Sequence, residues 1–439
     1  MRQAGLTIWS GNDRDQWAMV PAVNVIDDPA MRLFVFAIVI ALASVGCGTA
    51  GSATVASGST PSGTPRSDAA ASPAPSHSPS PSARPIPTTA PGLARLEPAD
   101  GAYFGLNLDW GSETAAKASR DLGKTPAVWV QFAHFPLDHG GHANLDAFID
   151  QVAAVGGIGV ITLEPQDGLA AVTDAAAAEL AQLLNGYWTA TGVRTFVRFA
   201  HEMNGSWYPW SQQPPDYIAA FRRVAAAVHA GAPASAMIWA PNQGSGYPFL
   251  GGAFAAKPGS PVTAALDTNG DGRLTAADDP YKPYYPGDDA VDWVGMSLYH
   301  WGLAYPWGEN EMPRPGAFAA MLRGEILGAQ TSAVAVPDFY ATYAVGHDKP
   351  MAIVETGILY DPADKTGPTE TALKTAWFDQ VFGASTRAEF PRIRMLNWFE
   401  WRKQESEVGK VIDWRLGSNP SLARALLAAV PDGLVFVRP

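Results

Sequence analysis

Two glutamates interrupt apolar sequence in a way that suggests chemistry. In VRFAHEMNGSWYPWS, residues 197–211, an apolar run stops at His201 and Glu202, and Asn204, Trp207, Tyr208 and Trp210 follow at once. In PMAIVETG, residues 350–357, a second apolar run ends on Glu355. A carboxyl group walled by aromatic rings loses hydration, which raises its pKa and lets it hold a proton near neutral pH. Set opposite a second carboxylate, it has the equipment for glycoside hydrolysis: one group protonates the leaving oxygen and the other attacks the anomeric carbon. The same aromatic faces can stack on pyranose rings. Position alone does not select the pair, because Glu164 closes ITLEP and Glu400 lies in LNWFEW. A lone glutamate at a strand end is more often a rim charge or half of a salt bridge. Arg198 faces inward on the run that leads to Glu202, either orienting a carboxylate or forming a buried core ion pair.

The elements that would hold these groups are short apolar runs separated by amphipathic helices. The runs cover residues 102–109, 127–132, 158–165, 195–202, 236–242, 292–299, 351–357 and 393–401. Near-continuous apolar character fits parallel strands buried on both faces. Helical patterns lie between them at 144–156, 173–188 and 215–231, with Asn144 and Thr173 placed as N-caps. Eight strands alternating with helices predict a (β/α)8 TIM barrel. An open doubly wound sheet is the alternative, but no G-x-G-x-x-G follows the first strand. In a barrel the active site forms at the C-terminal ends of the strands. Glu202 would end the fourth strand and Glu355 the seventh, almost opposite across the mouth.

HEMNGSWYPW together with ETG after an apolar strand resembles glycoside hydrolase family 26, retaining endo-hydrolases of clan A, over most of residues 97–430. That resemblance implies Glu202 as acid/base and Glu355 as nucleophile, with carboxyls about 5–5.5 Å apart. It implies that His201 and Asn204 orient the acid/base and touch the sugar, and that Tyr299, in MSLYHWG, hydrogen-bonds the nucleophile. Trp207 and Trp398 match the family's stacking platforms. The substrate implied is a β-linked polysaccharide, β-1,4-mannan first. The family also holds β-1,3-1,4-glucanases and β-1,3-xylanases. A retaining glycosidase needs no metal for catalysis.

DTNGDGRLTAADD, starting at Asp267, fits a calcium-loop template. Asp267, Asn269 and Asp271 occupy the first three ligand positions, Gly272 makes the turn, Arg273 offers its carbonyl, and Asp278 stands where the template has glutamate. A terminal aspartate resembles the calcium loops of dockerins. The loop falls in an insertion at about 255–285, so a structural Ca²⁺ is expected there, with a plain polar turn as the alternative.

The remaining sequence bears on location. Arg32 precedes an apolar run at 33–46, too short for a comfortable membrane span and suited to a signal-peptide core. Residues 1–30 fit no signal peptide, which points to Met31 as the start. SVGC resembles a bacterial lipobox, and Cys47 is the chain's one cysteine. Residues 1–47 are thus read as a signal and lipobox region. Lipidation at Cys47 is one outcome, and cleavage after ALA at 41–43 with free secretion is the other. Either places the protein outside the cytoplasm, in or beyond a bacterial envelope. Residues 48–96, rich in Ser, Pro and Ala, cannot build a core and read as an extended spacer. Residues 97–439 form the catalytic domain, expected to act as a monomer. A formal net charge of -12 argues against nucleic acid and suits a neutral glycan, as do fifteen tryptophans. A non-catalytic carbohydrate-binding barrel is the reading from another class; both candidate carboxylates being present weighs against it.

Overall fold

The computed structural model describes residues 7–9, 19–21, 84–85, 89–327, 333–430 and 433–437. Cys47 and nearly all of the signal and spacer regions lie outside the described residues, and among the described ones no helix is long and apolar enough to cross a membrane. Eight parallel strands close on themselves: β1 (Ala102–Leu108), β2 (Val128–His134), β3 (Ile158–Glu164), β4 (Thr195–Phe199), β5 (Ser235–Trp239), β6 (Trp293–His300), β7 (Met351–Ile358) and β8 (Ile393–Glu400). β8 pairs with β1 from Met395↔Tyr103 to Glu400↔Leu108, which completes the predicted barrel. A hairpin of β9 (Arg402–Glu405) and β10 (Lys410–Asp413) follows β8, and a short β11 (Leu434–Val435) lies beside β1.

Side-chain alternation divides the apolar residues into two cores. Tyr103, Val128, Val130, Ile158, Val160, Phe196, Ile238, Trp293, Val354 and Met395 fill the barrel interior. The alternate positions, among them Leu106, Trp129, Ile161, Val197, Met296, Ile353 and Leu396, pack against the helices. Gly105 lies on the interior face, where an added Cβ would stand 2.0 Å from Asn397 Oδ1. A side chain there would displace Asn397, so only glycine fits.

Four long helices, α1 (Ala115–Leu122), α2 (His139–Val155), α3 (Asp174–Thr191) and α4 (Pro214–Gly231), cover the first half of the barrel. Thr173 caps α3 as expected, its side chain accepting from Ala176 N–H at 3.2 Å. Asn144 does not cap α2. The helix begins five residues earlier, with Asp138 accepting from Gly141 N–H at 2.6 Å, so Asn144 lies inside it. The apolar face of α2, Leu145, Phe148, Ile149 and Val152, starts only after that extra turn, which is why periodicity placed the start late. The second half is less regular. A short α5 (Pro261–Leu266) lies in the β5–β6 insertion, a short α6 (Ala317–Leu322) and a π-helical turn at Tyr340–Val345 lie between β6 and β7, and α7 (Glu370–Phe382), α8 (Ala384–Glu389) and α9 (Pro420–Ala429) complete the ring.

Candidate active site

Above the interior apolar layer the inward positions become polar. Arg198 on β4 is fully buried, in register with Thr162 on β3 and Ile238 on β5. Its Nη1 donates to Glu355 Oε1, and its Nη2 donates to Ser297 Oγ at 2.7 Å. Breaking such a buried pair by removing one partner costs about 3–5 kcal/mol. Ser297 lies on β6 directly beside Glu355, and Tyr299, two residues on and on the same face, donates its hydroxyl to Glu355 Oε2 at 2.7 Å. Both oxygens of Glu355 therefore face donors, the arrangement that an ionised carboxylate, an acceptor only, requires.

Alternation alone would not aim Glu355 into the barrel. Ala352 and Val354 both pack in the interior core, so the next residue should face the helices. A bulge changes the count: Met296 pairs with Ile353 but Ser297 with Glu355, and on the other side Leu396 pairs with Ile353 but Trp398 with Thr356. The extra residue turns Glu355 inward beside Val354, while Thr356 faces outward to accept from Trp377 Nε1 on α7 at 3.0 Å.

Glu202 is positioned by the turn after β4. The strand ends at Phe199, and Ala200 and Glu202 both take left-handed backbone conformations, with φ of 46° and 53°. Each such non-glycine residue costs about 1–2 kcal/mol. The turn is held by Ala200 N–H to Leu163 O at 2.8 Å and Glu202 N–H to Ala240 O at 3.0 Å. Trp207 Nε1 donates to Glu202 Oε2 at 3.0 Å. Burial raises the Glu202 pKa, the Glu355 charge raises it further, and Arg198 opposes both. Asn204 locks the neighbouring loop by exchanging two hydrogen bonds with the Asn242 backbone, each 2.8 Å. His201 is buried with its ring against Phe132, Tyr208 and Trp210, and its Nε2 lies 3.2 Å from Tyr208 Oη. Burial, then Arg198, hold its pKa well below the ordinary histidine range, so the ring is neutral.

Glu202, Glu355, Arg198, Tyr299, Trp207, His201 and Asn204 are thus brought together at one barrel mouth. Trp398 is not with them. It is fully buried, its Nε1 donates to Trp414 O at 2.9 Å, and its ring packs near Phe378 and Phe382 of α7. It falls on the outward phase of β8, between inward Asn397 and Phe399, and cannot stack on a ligand. Partly exposed aromatics nearer the site went unpredicted. Trp401 stacks on Phe399 at 6.0 Å and donates to Asn107 Oδ1, and Trp301 lies between Tyr299 and the exposed Trp307. Trp301 follows Tyr299 by two residues, a spacing that could have flagged it. Ser297 and Asn242 were also missed, since nothing in their local sequence marks them.

The two spare glutamates separate. Glu400 accepts the backbone N–H groups of Leu416 and Gly417 at 2.8 and 3.1 Å, away from the mouth; burial pushes its pKa up to about 7. Glu164 lies with the site, only 2% exposed, and burial followed by the Glu355 charge push its pKa up to about 8.

In the Asp267 loop, Asp267 accepts the N–H groups of Gly270, Asp271 and Gly272 at 2.9, 3.1 and 2.7 Å. Asn269 accepts from Asp271, Asp271 from Arg273, and Asp278 from Thr268, Asn269 and Thr275. Among the described residues no group of three or more His, Cys, Asp or Glu side chains is placed to share a metal ion. The loop is closed by its own backbone donors, and the carboxylates of Asp267, Asp271 and Asp278 do not converge on one point.

No protein-family model matches the chain. It is 24% identical over 349 residues, 76% of its length, to Endoglucanase H of Acetivibrio thermocellus, and it spans 30% of that protein's length. Among solved structures it is similar to GH26A from Muricauda sp., with a TM-score of 0.43 and 16% identity over 76% of this chain and 91% of that one. It is also similar to the endo-beta-mannanase/endo-beta-glucanase PbGH26A-GH5A of Prevotella bryantii, with a TM-score of 0.44 and 12% identity over 77% of this chain and 44% of that one.

Proposed function

We propose that the chain is a retaining, endo-acting glycoside hydrolase of β-linked polysaccharides. The observation that carries this reading is the contrast between two buried carboxyls at one mouth. Glu355 meets a cation and a hydroxyl donor, which suit an ionised nucleophile. Glu202 meets an indole donor and aromatic walls, and its raised pKa suits a proton donor. In the first step Glu355 attacks the anomeric carbon while Glu202 gives its proton to the departing glycosidic oxygen. In the second, Glu202 takes a proton from water, the water oxygen bonds to the anomeric carbon, and the bond to Glu355 breaks. Arg198 and Tyr299 hold the nucleophile in place through both.

The substrate we place first is β-1,4-mannan. A β-glucan is the second reading, favoured by the name of the curated relative. Reducing-sugar release from mannan, glucomannan, lichenan, cellulose and β-1,3-xylan tests both; release from none of them refutes the glycosidase reading. Glu202→Ala should lose about 10²–10⁴-fold on polysaccharide. Azide should restore its turnover of an activated aryl glycoside as the azide adduct, and failure of that rescue would remove Glu202 from the acid/base role. We also propose that Cys47 is lipidated and tethers the domain to the envelope. Mass spectrometry of the mature N-terminus decides this, and an unmodified thiol refutes it.

A further inference from the structure

The reaction proposed above uses two carboxyl groups, yet the mouth holds a third. Glu164 ends β3 on the inward phase set by Val160 and Thr162. The groups that face it come from every neighbouring element. From β4 there is Arg198, and from the turn after β4 come Glu202 and Tyr208, with the buried ring of His201 packed on Tyr208. Glu355 faces it from β7, and Gln166 stands on its own loop. On β2, His134 lies opposite it in register but is turned to the rim, 3.0 Å from Asp167.

Charge balance decides its state. Arg198 is the one buried cation in this set, and both of its terminal nitrogens are engaged, one by Glu355 and one by Ser297. Arg198 carries a single positive charge, so three negative carboxylates around it would leave two buried charges uncompensated, at a cost of several kcal/mol each. A buried carboxyl without a cation takes up a proton instead. Burial, followed by the Glu355 charge, pushes its pKa up in the same direction.

We propose that Glu164 is a positioning residue: held as an uncharged carboxylic acid, it leaves Arg198 to Glu355, and its ionisation would draw the guanidinium off the nucleophile. This rests on the assignment of Glu355 as nucleophile. Its role is to withhold a further negative charge from the cluster while Glu202 loses and regains its proton.

Two measurements test this, the first without turnover. The infrared carboxylic-acid C=O band of the full chain at neutral pH should lose intensity in Glu164→Gln, and the lost component should titrate away on the alkaline side in the wild type. An unchanged band means Glu164 is already ionised and overturns the proposal, even if no glycan is hydrolysed. The second is the pH profile of kcat/KM on whichever glycan the wild type cleaves. Glu164→Ala should lower kcat/KM at least about tenfold. Glu164→Gln, which keeps shape and neutrality but cannot ionise, should recover most of that loss and give a shallower alkaline limb, one proton in place of two. A Gln variant as impaired as the Ala variant with its fold intact, or an alkaline limb of unchanged slope, overturns it. Failure of the glycosidase reading looks different: the wild type hydrolyses nothing, while the infrared result still reports the state of Glu164.

Discussion

Glu355 and Glu400 sit on adjacent strands, and both are buried carboxyls near a strand's C-terminal end. Their partners differ in kind. Glu355 is held by side chains from β4 and β6, elements far apart in sequence, and its oxygens point to the mouth. Glu400 accepts two consecutive backbone N–H groups some sixteen residues further on, as a cap does. Side-chain donors gathered from several strands mark a group whose orientation matters to something outside the chain. Backbone donors from one nearby loop mark a group that finishes local structure.

The comparison can be broken most sharply by removing each carboxyl. Glu355→Ala should lower turnover at least roughly 10⁴-fold, about 5.4 kcal/mol of transition-state stabilisation, without loss of fold. Glu400→Ala should leave kcat and KM near wild type and cost about 1–3 kcal/mol of stability, because the N–H groups of Leu416 and Gly417 lose their acceptor. An inactive, well-folded Glu400→Ala would erase the distinction. Next in size, Trp398→Ala should cost about 3–5 kcal/mol from the cavity it leaves, with KM unchanged at temperatures where the variant is folded. A selective rise in KM would return Trp398 to the binding surface.

The pH dependence of Glu400 gives a smaller effect. Its pKa is raised in the fold, to about 7, above the unfolded carboxyl value of about 4.3. A raised folded value means that the stabilisation is fully present below about 4.3 and is lost as pH rises through about 7. Glu400→Gln should therefore gain melting temperature relative to wild type as pH increases across that window. A constant difference between the two curves would show that Glu400 does not titrate there. The smallest effect expected is that of chelation. Because backbone donors already close the Asp267 loop, EDTA should shift the melting temperature only slightly and leave initial rates unchanged. A large calcium-dependent rise would mean that the loop rearranges around an ion, with Asp267, Asp271 and Asp278 turned toward it.

Eight strands were legible because each is a run of apolar residues buried on both faces, and Glu202 was legible because it stops such a run beside aromatics. Glu355 was found at a strand end, but the reason it faces inward was not in the sequence. A bulge is a relation between strands, and PMAIVETG reads the same with or without it. Trp398 failed for a related cause: LNWFEW contains two tryptophans three apart, and only pairing with β1 and β7 fixes which side each takes. Arg198 was open between two roles, and one contact joins them, since its buried ion pair is made with Glu355 itself. The left-handed turn at Ala200 and Glu202 left no mark, because neither residue is a glycine.

The bulge in β7 makes the location of Glu355 a matter of counting. At Ala352 and Ile353, just below it, plain alternation holds against both neighbouring strands; above it, the phase is reversed. Smoothing the bulge at unchanged length would put Glu355 one plain step after inward Val354 and swing the carboxylate toward α7, where Thr356 now accepts from Trp377, whereas deleting Ile353 or Val354 would leave it beside Ser297. The strand would remain apolar, paired and buried, and no substitution at position 355 could bring the group back. Recombining this barrel with another therefore has to preserve that bulge, and the neighbouring strands that set it, as strictly as the glutamate it carries.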